Sequence, residues 1–156
     1  MENKEILKEL EEKFKKMKLE LKFKSDLEDI DRIFLIKDGI LKDGFVSEKL
    51  SRQVCYRIVE NYVGWNDYLH SLIMPNPQNM FNMGESKLFS QEEKKEIIEI
   101  MKKIMEISSR NNLIGLIKDH KMEGEFIDYA VNFWKEEFEE KITKILKKIN
   151  SEWGKP

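Results

Sequence analysis

Little in this chain of 156 residues can fix a fold covalently or interrupt one. Its single cysteine, Cys55, excludes an intramolecular disulfide, so the core must hold by packing, for which the length is sufficient. Of three prolines, Pro75 and Pro77 stand together and Pro156 is last. Elsewhere helices can run without proline interruption. No apolar run approaches the ~20 residues of a membrane-spanning helix. Charges recur every two or three residues at the N-terminus, which does not read as a secretory leader. A cytoplasmic location is the expectation. Positive and negative residues nearly cancel at 28 against 30, which is not the basic balance of a dedicated nucleic-acid binder. A glycine-rich phosphate loop, a paired-cysteine cluster and a nucleophile elbow are all missing. Cys55 and His70 stand fifteen residues apart on one expected helix, about 20 Å, too far to act together. The reading therefore leans away from an enzyme.

What the chain does have is dense charge, 37% of residues, over a repeated three-and-four apolar spacing. That pattern predicts an all-α protein: one domain over residues 1–156, a bundle of about five helices. The organising stretch is Ser47 to Met74. Leu50, Val54, Ile58, Tyr62, Trp65, Leu69, Leu72 and Ile73 form one stripe, widened by Cys55, Val59 and Val63. A stripe that broad implies several neighbours. Ser47 is the expected N-cap, Gly64 a place where another helix comes close, and Pro75 the stop.

Around it, residues 1–24 carry a seam of Leu7, Leu10, Phe14, Met17 and Leu21, with coiled-coil rhythm over two heptads. Ser25 and Glu28 have capping-box spacing ahead of a helix through Ile30, Ile33, Phe34 and Ile36, which should end near Gly39 or Gly44. A turn, a short helix and a turn are expected over 37–47. Residues 74–89 read as one long apolar loop containing Met80, Phe81 and Met83. Ser90 and Glu93 make a second capping box, before a helix expected to kink or break at 109–112, with Gly115 allowing close packing. Glu123-Gly124 marks the boundary before a last helix, Glu125 to Trp153.

Three functional readings follow. The first is a non-enzymatic interaction or assembly protein without a cofactor, self-associating or joining a larger complex. It would use the seam Leu7, Leu10, Phe14, Met17 and Leu21 and the loop residues Met80, Phe81 and Met83. The aromatics Tyr56, Tyr62, Trp65 and Tyr68, spread around the central stretch, exceed what one buried face uses. The second is a divalent metal held by Glu60, Asp67 and His70 with His120 and Glu123, because carboxylate–histidine spacing of three puts both ligands on one helix face. The bland counterpart is an Arg57–Glu60 ion pair at i,i+3. The third is a nucleic acid or an anionic membrane surface met by Lys13, Lys15, Lys16, Lys18, Lys22 and Lys24, against the plainer account of a solvated lysine face.

Overall fold

The computed structural model describes residues 2–156. Seven helices follow one another: α1 (Asn3–Leu21), α2 (Leu27–Phe34), α3 (Ile36–Asp43), α4 (Leu50–Ile73), α5 (Met80–Ser86), α6 (Gln91–Ile117) and α7. Helix α7 runs from His120–Phe133 through a π-helical turn, Trp134–Phe138, into Glu139–Trp153 without leaving the right-handed region. The described residues contain no strand, so the all-α expectation holds, with seven helices where about five were expected. No helix among them is long and apolar enough to cross a membrane.

Helix α4 packs against each of the other six helices, most extensively α6. This is what its broad stripe requires: Val54, Cys55, Ile58, Tyr62, Leu69 and Leu72 are all buried. Arg52, near the start of α4, lies against Gly115 near the end of α6, while Asn66 further along α4 reaches Met105. The two helices are therefore antiparallel.

The helix starts divide into local and tertiary ones. Ser90 and Glu93 close the expected capping box on α6 reciprocally. The Ser25–Glu28 box does not form. Asp26 caps α2 by accepting from the Asp29 amide, because the Ser25 hydroxyl is engaged elsewhere, donating to Asp128 on α7 at 2.7 Å. The Asp128 carboxylate also accepts from the Lys24 and Ser25 amides, tying the α1–α2 corner to α7. Ser47 does not cap α4 either. That helix begins at Leu50 with Lys49 in the cap position and no side-chain cap.

Three further expectations are corrected. Helix α6 is unbroken across 109–112, because Asn111 is buried against its neighbours and tertiary contact outweighs weak local propensity. Glu123 and Gly124 lie inside α7, not at a boundary. Glycine is needed there because a Cβ would stand 2.7 Å from the Leu21 carbonyl oxygen, where the end of α1 crosses. Gly64, by contrast, is open: a Cβ added there would meet no atom within 4 Å.

The segment 74–89 is not wholly loop. Asn79 caps α5 by accepting from the Asn82 amide, and the Ser86 hydroxyl donates to the Leu72 carbonyl at 2.6 Å. The Trp153 indole reaches back to Glu85 at 2.9 Å. The short helix expected between turns over 37–47 is α3, which starts one residue earlier at Ile36, and α2 stops earlier than expected. Leu35 turns the chain with a φ of 54°, a conformation costly for a side chain of its size. Two α4 side chains hold that corner: Asn61 donates to the Phe34 carbonyl and Arg57 to that of Leu35.

The π-helical turn has a packing cause. A helix with i→i+5 bonding brings residues five apart onto one side. The Glu139 amide accordingly bonds the Trp134 carbonyl. Phe133 and Phe138 then both stand 5.7 Å from the Tyr62 ring, with Phe34 and Trp134 completing the cluster. The Tyr62 hydroxyl donates to the Ala130 carbonyl at 2.6 Å, and burial pushes its pKa well above the ordinary phenol range.

Candidate functional site

The seam of α1 is already covered. Leu10, Phe14 and Met17 are buried inside the chain's own core, with Leu7 and Leu21 half-buried against it. In the α5 region, Met80 and Phe81 are exposed and Met83 is half-buried. The Phe81 ring packs edge-on against Trp153 at 5.7 Å.

The five proposed metal ligands are not brought together. Glu60, Asp67 and His70 are exposed on α4, and Glu60 is paired with Arg57 at 3.1 Å. His120 and Glu123 start α7, where the Glu123 backbone lies beside Cys55. Asp67 and His70 are twelve and fifteen residues further along α4, about 18 to 22 Å at 1.5 Å per residue. Among the described residues no group of three or more His, Cys, Asp or Glu side chains could hold an ion.

His120 and Glu123 nevertheless make a defined pair. Nδ1 of His120 lies 2.8 Å from Oε1 of Glu123. The ring is largely exposed, whereas the carboxyl is 1% exposed and its Oε2 has no partner among the described residues. Nε2 of His120 has no hydrogen-bond partner among the described residues. Cys55, nearby, is no nucleophile. Burial pushes its thiol far up, the Glu123 charge adds to the effect, and Arg52 only partly offsets it.

The lysines do not form one face. At 100° per residue, Lys13 and Lys16 share one side of α1, while Lys15, Lys18 and Lys22 lie on the other. Lys13 pairs with Glu9 at 2.9 Å. Lys13 and Lys16 line a groove of about 650 Å³ between α1 and the starts of α4 and α7, with Lys49, Ser51 and His120. Lys15, Lys18, Lys22 and Lys24 do not reach it.

One surface was not read from the sequence as a site. On α4, Tyr56, Val59 and Val63 fall within about 60° of one another, on the side turned toward α6. On α6, Ile98, Met101, Met105 and Leu116 fall within about the same arc, turned toward α4. Tyr56, Met105 and Leu116 are well exposed, the last at 79%, and Ile98 is exposed at its margin. The outer border of this face carries Glu60 and Asp67 on the α4 side and Lys95 and Lys102 on the α6 side. The available signal was a second apolar row on each helix, which is hard to separate from core packing without knowing the neighbours.

Comparison of the chain with protein-family models, with curated proteins and with solved structures finds no match in any of the three.

Proposed function

We propose that the protein is a non-enzymatic assembly protein that self-associates through the face built by α4 and α6. The carrying observation is a set of exposed apolar side chains, Tyr56, Met105, Leu116 and Ile98, on the adjoining faces of two antiparallel helices. Isolated exposed apolar residues are ordinary, but a contiguous patch marks an interface.

Size and charge favour a second copy as the occupant. Twenty-four residues of α4 span about 36 Å, and two helices side by side are about 20 Å wide, giving roughly 700 Å². That is close to one partner's share of a standard interface. A two-fold axis parallel to the helices lays α4 of one copy over α6 of the other. The acidic border then meets the basic one. Fifteen residues along α4 from Arg52 is Asp67, and fifteen back along α6 from Gly115 is Ile100. Asp67 is thus level with Ile100 and about 3 Å along the axis from Lys102, so the two-fold brings it near the partner copy's lysine.

Sedimentation equilibrium tests this. The expected mass is twice the 18.7 kDa of the chain, falling to that of the chain in the double variant Met105→Glu, Leu116→Glu. Both positions are exposed, so helicity should be retained. Lys102→Glu alone should weaken the dimer, and Asp67→Lys added to it should restore part of the loss. A wild-type protein that stays at the mass of one chain at every concentration would refute the proposal.

A further inference from the structure

We infer that the end of the bundle built by α5 and the last turn of α7 binds a short, extended, uncharged peptide segment of another protein. The inference does not depend on self-association, since none of its residues is among those of the α4–α6 face.

Four large apolar side chains stand at this end: Met74 after α4, Met80 and Phe81 on α5, and Trp153 at the close of α7. Each is half to about three-quarters exposed. Phe81 and Trp153 touch edge-on, and the Trp153 ring lies 3.6 Å from where a Cβ on Gly84 would stand. At about 200 Å² per large side chain, the four expose roughly 500 Å². That is near the upper end of what a monomer leaves open. The platform is held from two sides. The Ser86 hydroxyl donates to the Leu72 carbonyl, the Asn82 amide to that of Ser71, and the Trp153 indole to Glu85. A surface fixed before binding loses less freedom on binding.

Size and chemistry select the occupant. The area falls short of the roughly 800 Å² that each partner in a stable complex of folded proteins contributes, so a short segment suits it better than a second copy. Charged residues make up 37% of the chain, yet none lies between Ser71 and Gly84. Of the bordering charges, Glu85 is engaged by Trp153, and Glu152 is paired with Lys155 at 2.7 Å. Lys87 lies past the other end of α5, about 10 Å along from Met80. On α4, His70 and Asp67 stand one and two turns before Met74. Loss of charge together with methionine and aromatic side chains marks the centre of an interface. A charged segment would give up its water here without gaining a counter-charge. The polar groups present are amides. Asn76 and Asn79 use Oδ1 to accept from the Gln78 and Asn82 backbone amides. Their exposed Nδ2 groups, and the exposed Gln78 side chain, remain as donors. Backbone carbonyls are their natural acceptors. A helix has already used its own carbonyls, so the bound segment is extended. Met74 and Met80, flexible and polarisable, adapt to one or two large apolar side chains on it.

The test is an NMR titration of the full chain with a set of capped heptapeptides in which leucine or phenylalanine alternates with serine or glutamine. A matched set carries glutamate and lysine in place of serine and glutamine. With the neutral set, saturable shifts should appear at the Trp153 indole N–H and the Phe81 ring. The charged set should bind about tenfold more weakly or worse. Met80→Ser with Phe81→Ser should weaken binding by about tenfold or more, the scale of a lost apolar anchor. Both positions are exposed, so the fold should hold. Gln78→Ala, whose side chain bonds nothing in the fold, should weaken binding by about threefold, the scale of one hydrogen bond. Running the titration on the Met105→Glu, Leu116→Glu variant should give the same affinity, which separates this site from the assembly face. Two parallel arms dilute the protein alone and add phosphatidylcholine vesicles. Four outcomes overturn the inference: no saturable shift with any neutral peptide, equal binding of the charged set, Trp153 shifts on dilution alone, or binding confined to the vesicles.

Discussion

The same substitution, glycine to alanine, should have opposite effects at two positions in this fold. Gly64 sits mid-helix in α4 with no atom within 4 Å of the Cβ that alanine would add. Nothing opposes the gain in helix propensity and the loss of unfolded-chain freedom, so Gly64→Ala should stabilise by about 1 kcal/mol. Gly124 is also in a helix interior, and the same local gain applies. There, however, the new Cβ would stand 2.7 Å from the Leu21 carbonyl oxygen and 3.0 Å from its Cβ. The obstructing atom is backbone and cannot rotate away. Either α1 shifts at its C-terminus or α7 does. Overpacking of this kind costs about 1 to 3 kcal/mol, which cancels or exceeds the local gain. Gly124→Ala should therefore be neutral to about 2 kcal/mol destabilising. For a chain of this size each kcal/mol moves Tm by about 2 to 4 °C. Both variants are compared with wild type by urea denaturation and thermal melting at one protein concentration, because self-association would otherwise shift the midpoints. Gly124→Ala stabilising as much as Gly64→Ala would refute the close crossing of α1 over α7. Gly64→Ala destabilising would refute the open position of Gly64.

Three other outcomes follow from named contacts. Asp128→Ala removes the acceptor shared by the Lys24 and Ser25 amides and the Ser25 hydroxyl, and should cost about 2 kcal/mol. Amide exchange in α1 should accelerate before exchange in α4 does. Ser90→Ala opens the capping box of α6 and should cost about 1 kcal/mol by denaturant titration. Burial holds the Cys55 thiol and the Tyr62 phenol neutral, whereas in the unfolded chain they ionise near pH 9.0 and 10.0. Above those values the unfolded state binds fewer protons, so stability is complete below about pH 9 and falls as pH rises, by up to about 1.4 kcal/mol per pH unit for each group. Denaturation midpoints followed from neutral to alkaline pH check this. In Cys55→Ala the decline should begin nearer pH 10.0.

The features legible in the sequence are those governed by near neighbours. The stripe on α4 was readable because 3.6-residue periodicity is intrinsic to the chain, and its unusual width pointed to a central position. The Ser90–Glu93 box was readable because both partners lie within one turn. The Ser25–Glu28 box has equally good spacing and fails because Asp128, 103 residues from Ser25, takes the hydroxyl. Two expected boundaries, at 109–112 and at Glu123-Gly124, rested on residues with weak helix propensity. Asn111 and Gly124 are in fact shaped by contacts with other helices. Helix α5 is too short to be signalled by periodicity and is held by Ser86, Asn82 and Trp153. The His120–Glu123 pair could be seen as an i,i+3 spacing. The groove it faces could not, because Lys16, Ser51 and His120 come from three helices.

The Asp128 clamp also bears on the order in which the fold can be completed. It joins residues 24 and 25 to a carboxylate more than 100 positions later, on the helix that also packs against α1. At a synthesis rate of roughly 5 to 20 residues per second, the first helix emerges some 5 to 20 seconds before its clamp exists. During that interval Ile6, Leu10, Phe14 and Met17 lack part of the surface that later covers them. Helix α1 is thus made well before it is secured, and for those seconds its apolar seam stands open to any other chain within reach.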